Sequence, residues 1–574
     1  MQLSVVPKAE PALKAEVVAT PSAALAPVAV LKFGSSVLRT VDDLPRVAGE
    51  IYRQRRAGFR LVVIVSALAG ETDALFAQAG KVAGGVDCAG IAELVSLGEE
   101  RTAALLRIAC DRIGLPADIC RPEGLGLKTE GDQLSAHPIA LEGDVLRAKL
   151  AATGVVIAPG FVGTDADGRR ALLGRGGSDL SAVFLAGALG ADRVRLYKDV
   201  NGVYDRDPSV LKDPKRFAEI SWHDAAKVAG KLIQPQAIDH AAHHGLPIEV
   251  AEIGGASPTH VGACTGAAVP VAARRPLRIA LAGYGVVGQA LAARLANEPG
   301  FEIVSILVRD LGRTRAVLPP CALTDQPDAF VRIGADILVD ALSCDATGEA
   351  LSRVLLGSGS HVVSASKRVI ARSGRPLAAL AEVNGGSLRY SAAVGGAAPV
   401  LETVAEARRA GEIAEVTAIL NGTVNFILDR LAAGTDFETA LDEARAAGFA
   451  EEDSSCDLEG ADAAAKLRLI AAEAFGVDPV SVEVATEALD GAAAERIRGT
   501  RWLQVARLTQ SGAEVALRPA GETDLPALPG EWNGARITLT DGFAFDCVGR
   551  GAGGAATAEA IVADLFEIHE AAAC

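Results

Sequence analysis

Near the middle of the chain, Leu281-Ala-Gly-Tyr-Gly-Val-Val-Gly288 lies between an apolar run, Leu277 to Leu281, and a segment of helical character, Val286 to Leu295. Strand, glycine turn and helix in that order are the context a dinucleotide-binding fingerprint requires. Gly283 permits the tight turn, Gly285 lets a pyrophosphate approach the backbone, and Gly288 lets helix pack on strand. Val286 and Val287 open the helix whose free N–H groups would meet the phosphates. Taken alone, G-x-G-x-x-G reads equally as a glycine-rich turn. Its position gives it weight, because about half of the 574 residues precede it and follow another pattern.

A chain of this length holds roughly three to four domains of ordinary size. No uncharged apolar run reaches the ~18 residues that span a bilayer, so no membrane partner is expected. Residues 1–26, with Lys8, Lys14 and scattered proline, lack the apolar centre of a signal peptide and read as a flexible tail. The net charge of -16 argues against nucleic acid as a partner. Nine cysteines without C-x-x-C pairs read as reduced thiols, with Cys456 a small filler residue, and the expected location is the cytoplasm.

In the first half, Val28 to Ser36 reads as a buried strand that delivers Lys32 to a turn of small residues, Gly34, Ser35 and Ser36. Val62 to Ala67, which includes Ser66, is a second such strand and ends in Leu68-Ala-Gly-Glu-Thr-Asp73. A third run, Gly154 to Phe161, leads to Leu173-Gly-Arg-Gly-Gly-Ser-Asp179, and a fourth, Val194 to Tyr197, leads to Lys198-Asp-Val-Asn-Gly-Val-Tyr204. Strands alternating with Ala/Leu-rich helical stretches predict a parallel α/β sheet covered on both faces. Ligands of such sheets gather beyond the carboxyl ends of the strands, where all four motifs fall. Phosphoryl transfer needs cations on the migrating charge and bared N–H groups. Lys32, Gly34, Arg175, Gly176, Gly177, Lys198 and Lys231 supply these, while Asp179 and Asp199 are placed to orient Mg²⁺ or a lysine. Any one motif reads equally as a strand-end turn; four in register do not.

These motifs, together with Ser96-Leu-Gly-Glu99 and Gly160-Phe-Val-Gly163, resemble the catalytic domain of the aspartate kinase family from about residue 27 to about 266. The resemblance implies catalytic roles for Lys32 and Asp179, and aspartate binding at Ser66, Glu99 and Arg175. It implies ATP binding, with Mg²⁺, around Gly34, Ser35, Ser36, Gly176, Gly177, Lys198, Asp199, Tyr204 and Lys231. Where the family has Lys-Phe-Gly-Gly-Thr-Ser, this chain has Lys32-Phe-Gly-Ser-Ser-Val37, and Gln234 stands where histidine is usual. Members usually continue into paired ACT domains; here a Pro/Ala/Arg connector, Val269 to Pro276, leads straight into the dinucleotide strand, so feedback through such modules is not expected.

After the fingerprint, Phe301 to Val308 is the expected second strand. It ends in Arg309 and Asp310, which favours NADP while leaving NAD open. Asp336 to Ser343 and His361 to Lys367 are further strands, bringing Ser343 and Lys367 to the same edge. Downstream come Asn421-Gly-Thr423, Gly448 to Asp453, and Asp457, then Asp462 and Lys466. The last two, at i and i+4, share a helix face, and such a pair alone is usually a surface ion pair. However, Glu451, Glu452, Asp453, Asp457 and Glu459 crowd the preceding loop, which is costly unless lysines or a cationic ligand such as an α-ammonium neutralise them.

From about residue 276 onward this pattern, with Gly549-Arg-Gly-Ala-Gly553 and Thr557-Ala558, is similar to the homoserine dehydrogenase family. The resemblance implies homoserine binding by Glu451, Asp457 and Asp462, proton exchange by Lys466, and Lys367 beside cofactor and substrate, with Gly448 and Gly553 touching the cofactor. Two nearby lysines depress each other's pKa, which suits a proton donor near neutrality. Ser391 replaces a glutamate of the family's monovalent-cation loop, and Ser364-Ala-Ser-Lys367 replaces Thr-Ala-Asn-Lys, so no metal site is assigned.

The expected domains are a kinase domain over 27–268, a linker over 269–276, a Rossmann domain over 277–395, a catalytic α+β domain over 396–545, and a segment over 546–574 that returns to the cofactor domain. Together the resemblances imply an aspartate kinase and a homoserine dehydrogenase in one chain, acting on L-aspartate, ATP and aspartate semialdehyde/homoserine as a homo-oligomer, dimer or tetramer. The alternative is a homoserine dehydrogenase whose kinase fold is catalytically silent and serves binding or oligomerisation.

Overall fold

The computed structural model describes residues 26–572 except 84–89, 211–212, 231, 256, 272–273, 448, 450–453, 526–527, 529, 531 and 552. Lys231, Gly448 and Glu451 therefore lie outside the described residues.

Four runs rich in β-branched and aliphatic residues form the centre of the first sheet. In spatial order they are Arg193–Tyr197, Val28–Phe33, Arg60–Val65 and Val155–Pro159, all parallel. Both faces are buried, as a parallel sheet requires. One face carries Val30, Val62, Ile64 and Leu196 against the helices Gly177–Leu189 and Pro235–His244. The other carries Leu31, Phe33, Val63 and Val65 against the helices Leu44–Arg56 and Gly90–Arg112. Adjacent parallel strands place their carboxyl ends side by side, so Lys32, Ser66, Gly160 and Lys198 leave the sheet along one edge. Ala268–Pro270 pairs antiparallel with Lys215–Phe217, so a short ribbon runs two residues into the expected connector.

The second sheet is also parallel: Leu323–Thr324, Phe301–Leu307, Leu277–Ala282, Ile337–Asp340, His361–Ser364, Leu388–Arg389. The chain leaves Leu277–Ala282 first to one side and then to the other, so the topological switch point lies at the glycine turn. The helix Val286–Leu295 has the bounds expected from sequence. Two strands are shorter than expected, Ile337–Asp340 and His361–Ser364, and Lys367 opens a helix, Lys367–Val383, rather than ending a strand. Ser364 bonds Asp340 and the backbone N–H of Ser366, and this local hydrogen bonding turns the chain out of the sheet before Lys367.

A third, largely antiparallel sheet contains Ile413–Ile419, Trp502–Thr509, Trp532–Leu539 and Ala544–Arg550. Helices Val400–Ala410 and Ala461–Phe475 cover one face. Residues 546–550 still belong to this sheet; the return to the cofactor domain is made by the last helix, Gly554–Ala571, which packs on Val286–Leu295 through Ala558, Ile561 and Leu565.

That last helix also completes the first half. Ala556 and Ala563 share a core with Val47, Ile51 and Leu106. Gly49 lets the helices Leu44–Arg56 and Gly554–Ala571 approach closely: a Cβ there would stand 2.2 Å from Glu559 Oε1. Arg46 bonds Glu298 at 3.1 Å, and Arg294 bridges Glu298 at 2.6 Å and Glu559 at 2.9 Å. The two halves are one packed body.

Candidate active sites

At the edge of the first sheet, the Asp179 carboxylate receives Lys32 Nζ at 2.7 Å on Oδ1 and Lys198 Nζ at 2.9 Å on Oδ2. The three side chains are 6–8% exposed. Lys32 and Lys198 arrive from the ends of adjacent strands, and Asp179 from the first turn of Gly177–Leu189. Burial pushes the Asp179 carboxyl up, but Lys198 and Lys32 outweigh it and hold the group far below the usual carboxylate range. Burial lowers the Lys32 pKa to about 8 against the pull of Asp179, with Lys198 lowering it further. Two cations on one anion leave a net positive charge out of water, at the N-terminus of a helix: a site for an anion. Gly34 keeps room for it, since a Cβ there would stand 2.6 Å from Lys32 Nζ.

Around this trio, Gly176 takes φ +75° at the helix N-cap, and the Gln234 backbone N–H donates to Asp179 Oδ2 at 3.3 Å. Gln234 Nε2 donates to the Arg175 carbonyl at 2.9 Å, so the residue that departs from the family holds the loop. Ser66 and Ser178 hydroxyls are 2.8 Å apart. Glu99 is buried; its Oε1 accepts from the Ala67 N–H at 3.2 Å while Oε2 has no hydrogen-bond partner. Burial pushes its carboxyl up to about 7, against that backbone hydrogen bond. An unpartnered, poorly solvated carboxylate oxygen is a place for a cationic ligand group. Arg175 is 98% exposed and 3.9 Å from Asp73, so it stands outside the buried trio. Asp199 and Ser35 are exposed, Gly177 opens the helix, and Ser36 and Tyr204 are half-buried, the last bridging Arg216.

In the second half the three glycines do different work. Gly283 has φ +101°, and a Cβ on it would meet the Ala341 carbonyl at 2.5 Å. A Cβ on Gly288 would meet the Gly283 carbonyl at 2.2 Å. Around Gly285 a Cβ would find nothing within 4 Å, and Val286 is 74% exposed. The turn is thus closed behind and open in front, a cradle that fits a dinucleotide pyrophosphate. Arg309 and Ser343 are exposed at the carboxyl ends of their strands, and Gly553, φ +120°, also has open space around its Cβ position.

Beside this cradle a second aspartate holds two lysines. Asp462 Oδ2 pairs with Lys466 Nζ at 2.8 Å, and Oδ1 with Lys367 Nζ. Lys466 Nζ also donates to the Leu420 carbonyl at 2.6 Å. Burial lowers both lysines to about 8; Lys466 adds to the effect on Lys367, whereas Asp457 opposes it on Lys466. Asn421 Nδ2 donates to Asp457 at 2.8 Å and Asp462 at 3.1 Å, while its Oδ1 caps the next helix at Val424. Sequence reasoning quoted Asn421 within a motif without giving it this bridging role; a residue of cap type between a strand and a helix was the available signal.

The sequence pattern of the amino acid kinase family matches residues 27–252, that of the homoserine dehydrogenase NAD binding domain 283–391, and that of homoserine dehydrogenase 399–566. An aspartokinase of Pseudomonas aeruginosa is 35% identical over 224 residues, covering 38% of this chain and 54% of its own length. The chain thus spans about half the length of the aspartokinases it matches. A homoserine dehydrogenase of Neisseria gonorrhoeae is 32% identical over 320 residues, covering 51% of this chain and 72% of its own. A crystal structure of a homoserine dehydrogenase from Thiobacillus denitrificans is 29% identical, with a TM-score of 0.49, covering 52% of this chain and 74% of that one. Among the described residues no helix is long and apolar enough to cross a membrane.

Proposed function

The chain belongs to the homoserine dehydrogenase family and carries an amino acid kinase region ahead of it, and from that premise we propose that it performs two reactions. One is ATP-dependent phosphorylation of L-aspartate to 4-phospho-L-aspartate. The other is the interconversion of aspartate 4-semialdehyde and L-homoserine with NADP, or with NAD in its place. The observation that carries this reading is the repeated arrangement of one carboxylate between two lysines, once at each sheet edge.

In the first reaction an oxygen of the side-chain carboxylate of L-aspartate bonds to the γ-phosphorus, and the bond from that phosphorus to the bridging oxygen breaks, releasing ADP. The nucleophile is already ionised, so no base is required. Lys32 and Lys198 neutralise charge on the transferring group, Asp179 fixes both ammonium groups, and Glu99 faces the substrate's α-ammonium. Ser66, Arg175, Gly176, Gly177, Asp199, Tyr204 and Lys231 would line the substrate and nucleotide. Mg²⁺ would arrive on the phosphates of ATP.

In the second reaction, neutral Lys466 takes the hydroxyl proton of homoserine as the carbon becomes an aldehyde, and returns it in the reverse direction. The nicotinamide, when bound, accepts or supplies the hydride. Lys367 approaches the same oxygen, Asp462 keeps both lysines in place, and Asp457 and Glu451 would face the α-ammonium. Gly285, Val286, Val287, Gly553 and Gly448 would hold the dinucleotide, with Arg309 at the ribose phosphate of NADP. The cytoplasm supplies these substrates, and the resemblance implies a homo-oligomer.

The test is made on one preparation of the full chain. ADP release from ATP and Mg²⁺ is measured with and without L-aspartate, and NADPH formation with homoserine. Aspartate-dependent ADP release together with NADP-linked oxidation is expected. ADP release indifferent to aspartate removes the first reaction and makes that half a scaffold; absence of homoserine oxidation removes the second.

A further inference from the structure

The helix Leu44–Arg56 belongs to the first half, yet its last side chain is buried in the second. Arg56 Nη2 donates to Asp564 at 2.5 Å, to Glu567 at 2.8 Å and to the Ser391 hydroxyl at 3.0 Å, and lies 3.0 Å from Glu402. Its Nη1 donates to the Ala560 carbonyl at 3.3 Å. Ser391 in turn donates its hydroxyl to Glu402 and its backbone N–H to Asp564, at 3.2 Å for the latter. One guanidinium therefore ties together three carboxylates from two helices and the loop that starts at Ser391. The three carboxylates and the Ser391 hydroxyl gather on Nη2 and share its two N–H groups, around a guanidinium that keeps its charge when buried. Without it the carboxylates of Glu402, Asp564 and Glu567 would repel one another.

The loop from Ser391 to Pro399 joins the cofactor domain to the substrate domain. Gly395 and Gly396 have φ of +84° and +65°, and a Cβ on Gly396 would meet the carbonyls of Arg550 and Gly551 at 2.7 Å. Ala393 and Val394 share a core with Ile370, on the helix that Lys367 opens. On the other side, Gly551 lies against the Asn533 side chain, whose amide reaches the Leu420 carbonyl at 3.4 Å, the same oxygen that receives Lys466 Nζ. The loop thus abuts the supports of both lysines around Asp462.

We propose that Arg56, a residue of the kinase half, is a positioning residue for the dehydrogenase reaction: it fixes the 391–399 loop and through it the placement of Lys367 and Lys466. This rests on the dehydrogenase reading above. The test compares the full-length chain with Arg56→Ala, Arg56→Lys and Ser391→Ala. It reads kcat and KM for homoserine, hydrogen exchange over 391–399, and rescue by added guanidinium ion. In Arg56→Ala, kcat is expected to fall about 10–100-fold, the loss a displacement of about 1 Å produces, with KM for NADP little changed. Exchange over the loop rises, and guanidinium, unlike urea, restores several-fold activity. Ser391→Ala falls in the same direction by a smaller factor without a charge-sized cavity, and carries the test together with Arg56→Lys if Arg56→Ala does not fold. Unchanged kcat and exchange in the variants overturn the proposal. So does a loss that guanidinium does not restore and Ser391→Ala does not share. If the unaltered chain oxidises no homoserine, the underlying reading falls, and exchange over 391–399 still decides whether Arg56 holds the loop.

Discussion

Asp179 and Asp462 each lie between two lysines, but the first trio is at most 8% exposed on every side chain, whereas Lys367 in the second keeps 35% of its side chain exposed. The neighbours differ as well. Asp179 is joined by the backbone N–H of Gln234 and lies in the first turn of a helix, so the surplus of positive charge around it is unscreened and directed at an anion. Asp462 is joined by Asn421 and, through it, by Asp457, so the second positive charge has its own counter-charge nearby. On the function proposed above, one arrangement of three side chains would hold charge still in the first half and let a proton move in the second.

The largest expected effect tests proton movement. Replacing Lys466 with Met should lower homoserine oxidation by about 10²–10⁴-fold, the range typical of a lost acid–base group. In the unaltered chain, oxidation should rise with pH to a plateau above about 8, as Lys466 loses its proton, and aldehyde reduction should fall over the same range. The sign for stability follows from the same shift. Between about 8 and 10.5 the unfolded chain binds the proton that the folded Lys466 has released, so folding becomes more favourable as pH rises through that window. Identical pH profiles for oxidation and reduction would remove the contrast with Lys32.

The next effect tests charge held still. Asp179→Asn leaves two buried ammonium groups without their anion and should reduce aspartate-dependent ADP release by about 10²–10³-fold. It should also cost about 3–5 kcal/mol, as breaking a buried pair does. Asp462→Asn should cost less, because Lys367 can turn to water and Lys466 keeps the Leu420 carbonyl. Calorimetry that finds the two substitutions equally destabilising would break the comparison.

The smallest effect concerns the walls. Gly285→Ala places a methyl in open space, so the folded chain is unaffected while cofactor binding weakens about tenfold, equal to about 1.4 kcal/mol. Gly34→Ala presses instead on Lys32 Nζ and should disturb the closed trio itself. Fluorescence titration with NADPH and thermal unfolding of both variants separate the two cases.

Much of this was legible in the chain. Glycine spacing and apolar runs located the parallel strands and the Val286–Leu295 helix, because a strand buried on both faces needs continuous aliphatic residues and a fingerprint needs its three glycines. Lys32, Asp179, Lys198, Lys367, Asp462 and Lys466 were all nameable. That Asp179 gathers two lysines was not, since those contacts join residues far apart in sequence. Lys367 reads as a strand end in the sequence, because the hydrogen bonds of Ser364 that turn the chain leave no periodic signal. Arg56 was invisible for a similar reason: an arginine at the end of an amphipathic helix reads as solvent-facing until the second half is folded against it.

The last helix, Gly554–Ala571, closes a core that it shares with Leu31, Val47 and Ile51. More than 500 residues separate Arg56 from its partner Asp564. At typical elongation rates of about 5–20 residues per second, those partners emerge from the ribosome about 25–100 s apart. Until then the helix Leu44–Arg56 lacks the helix that packs on it, and Arg56 lacks its carboxylates. The first half is thus finished only after the second has been made, and loss of the helix Gly554–Ala571 would be felt around Arg56.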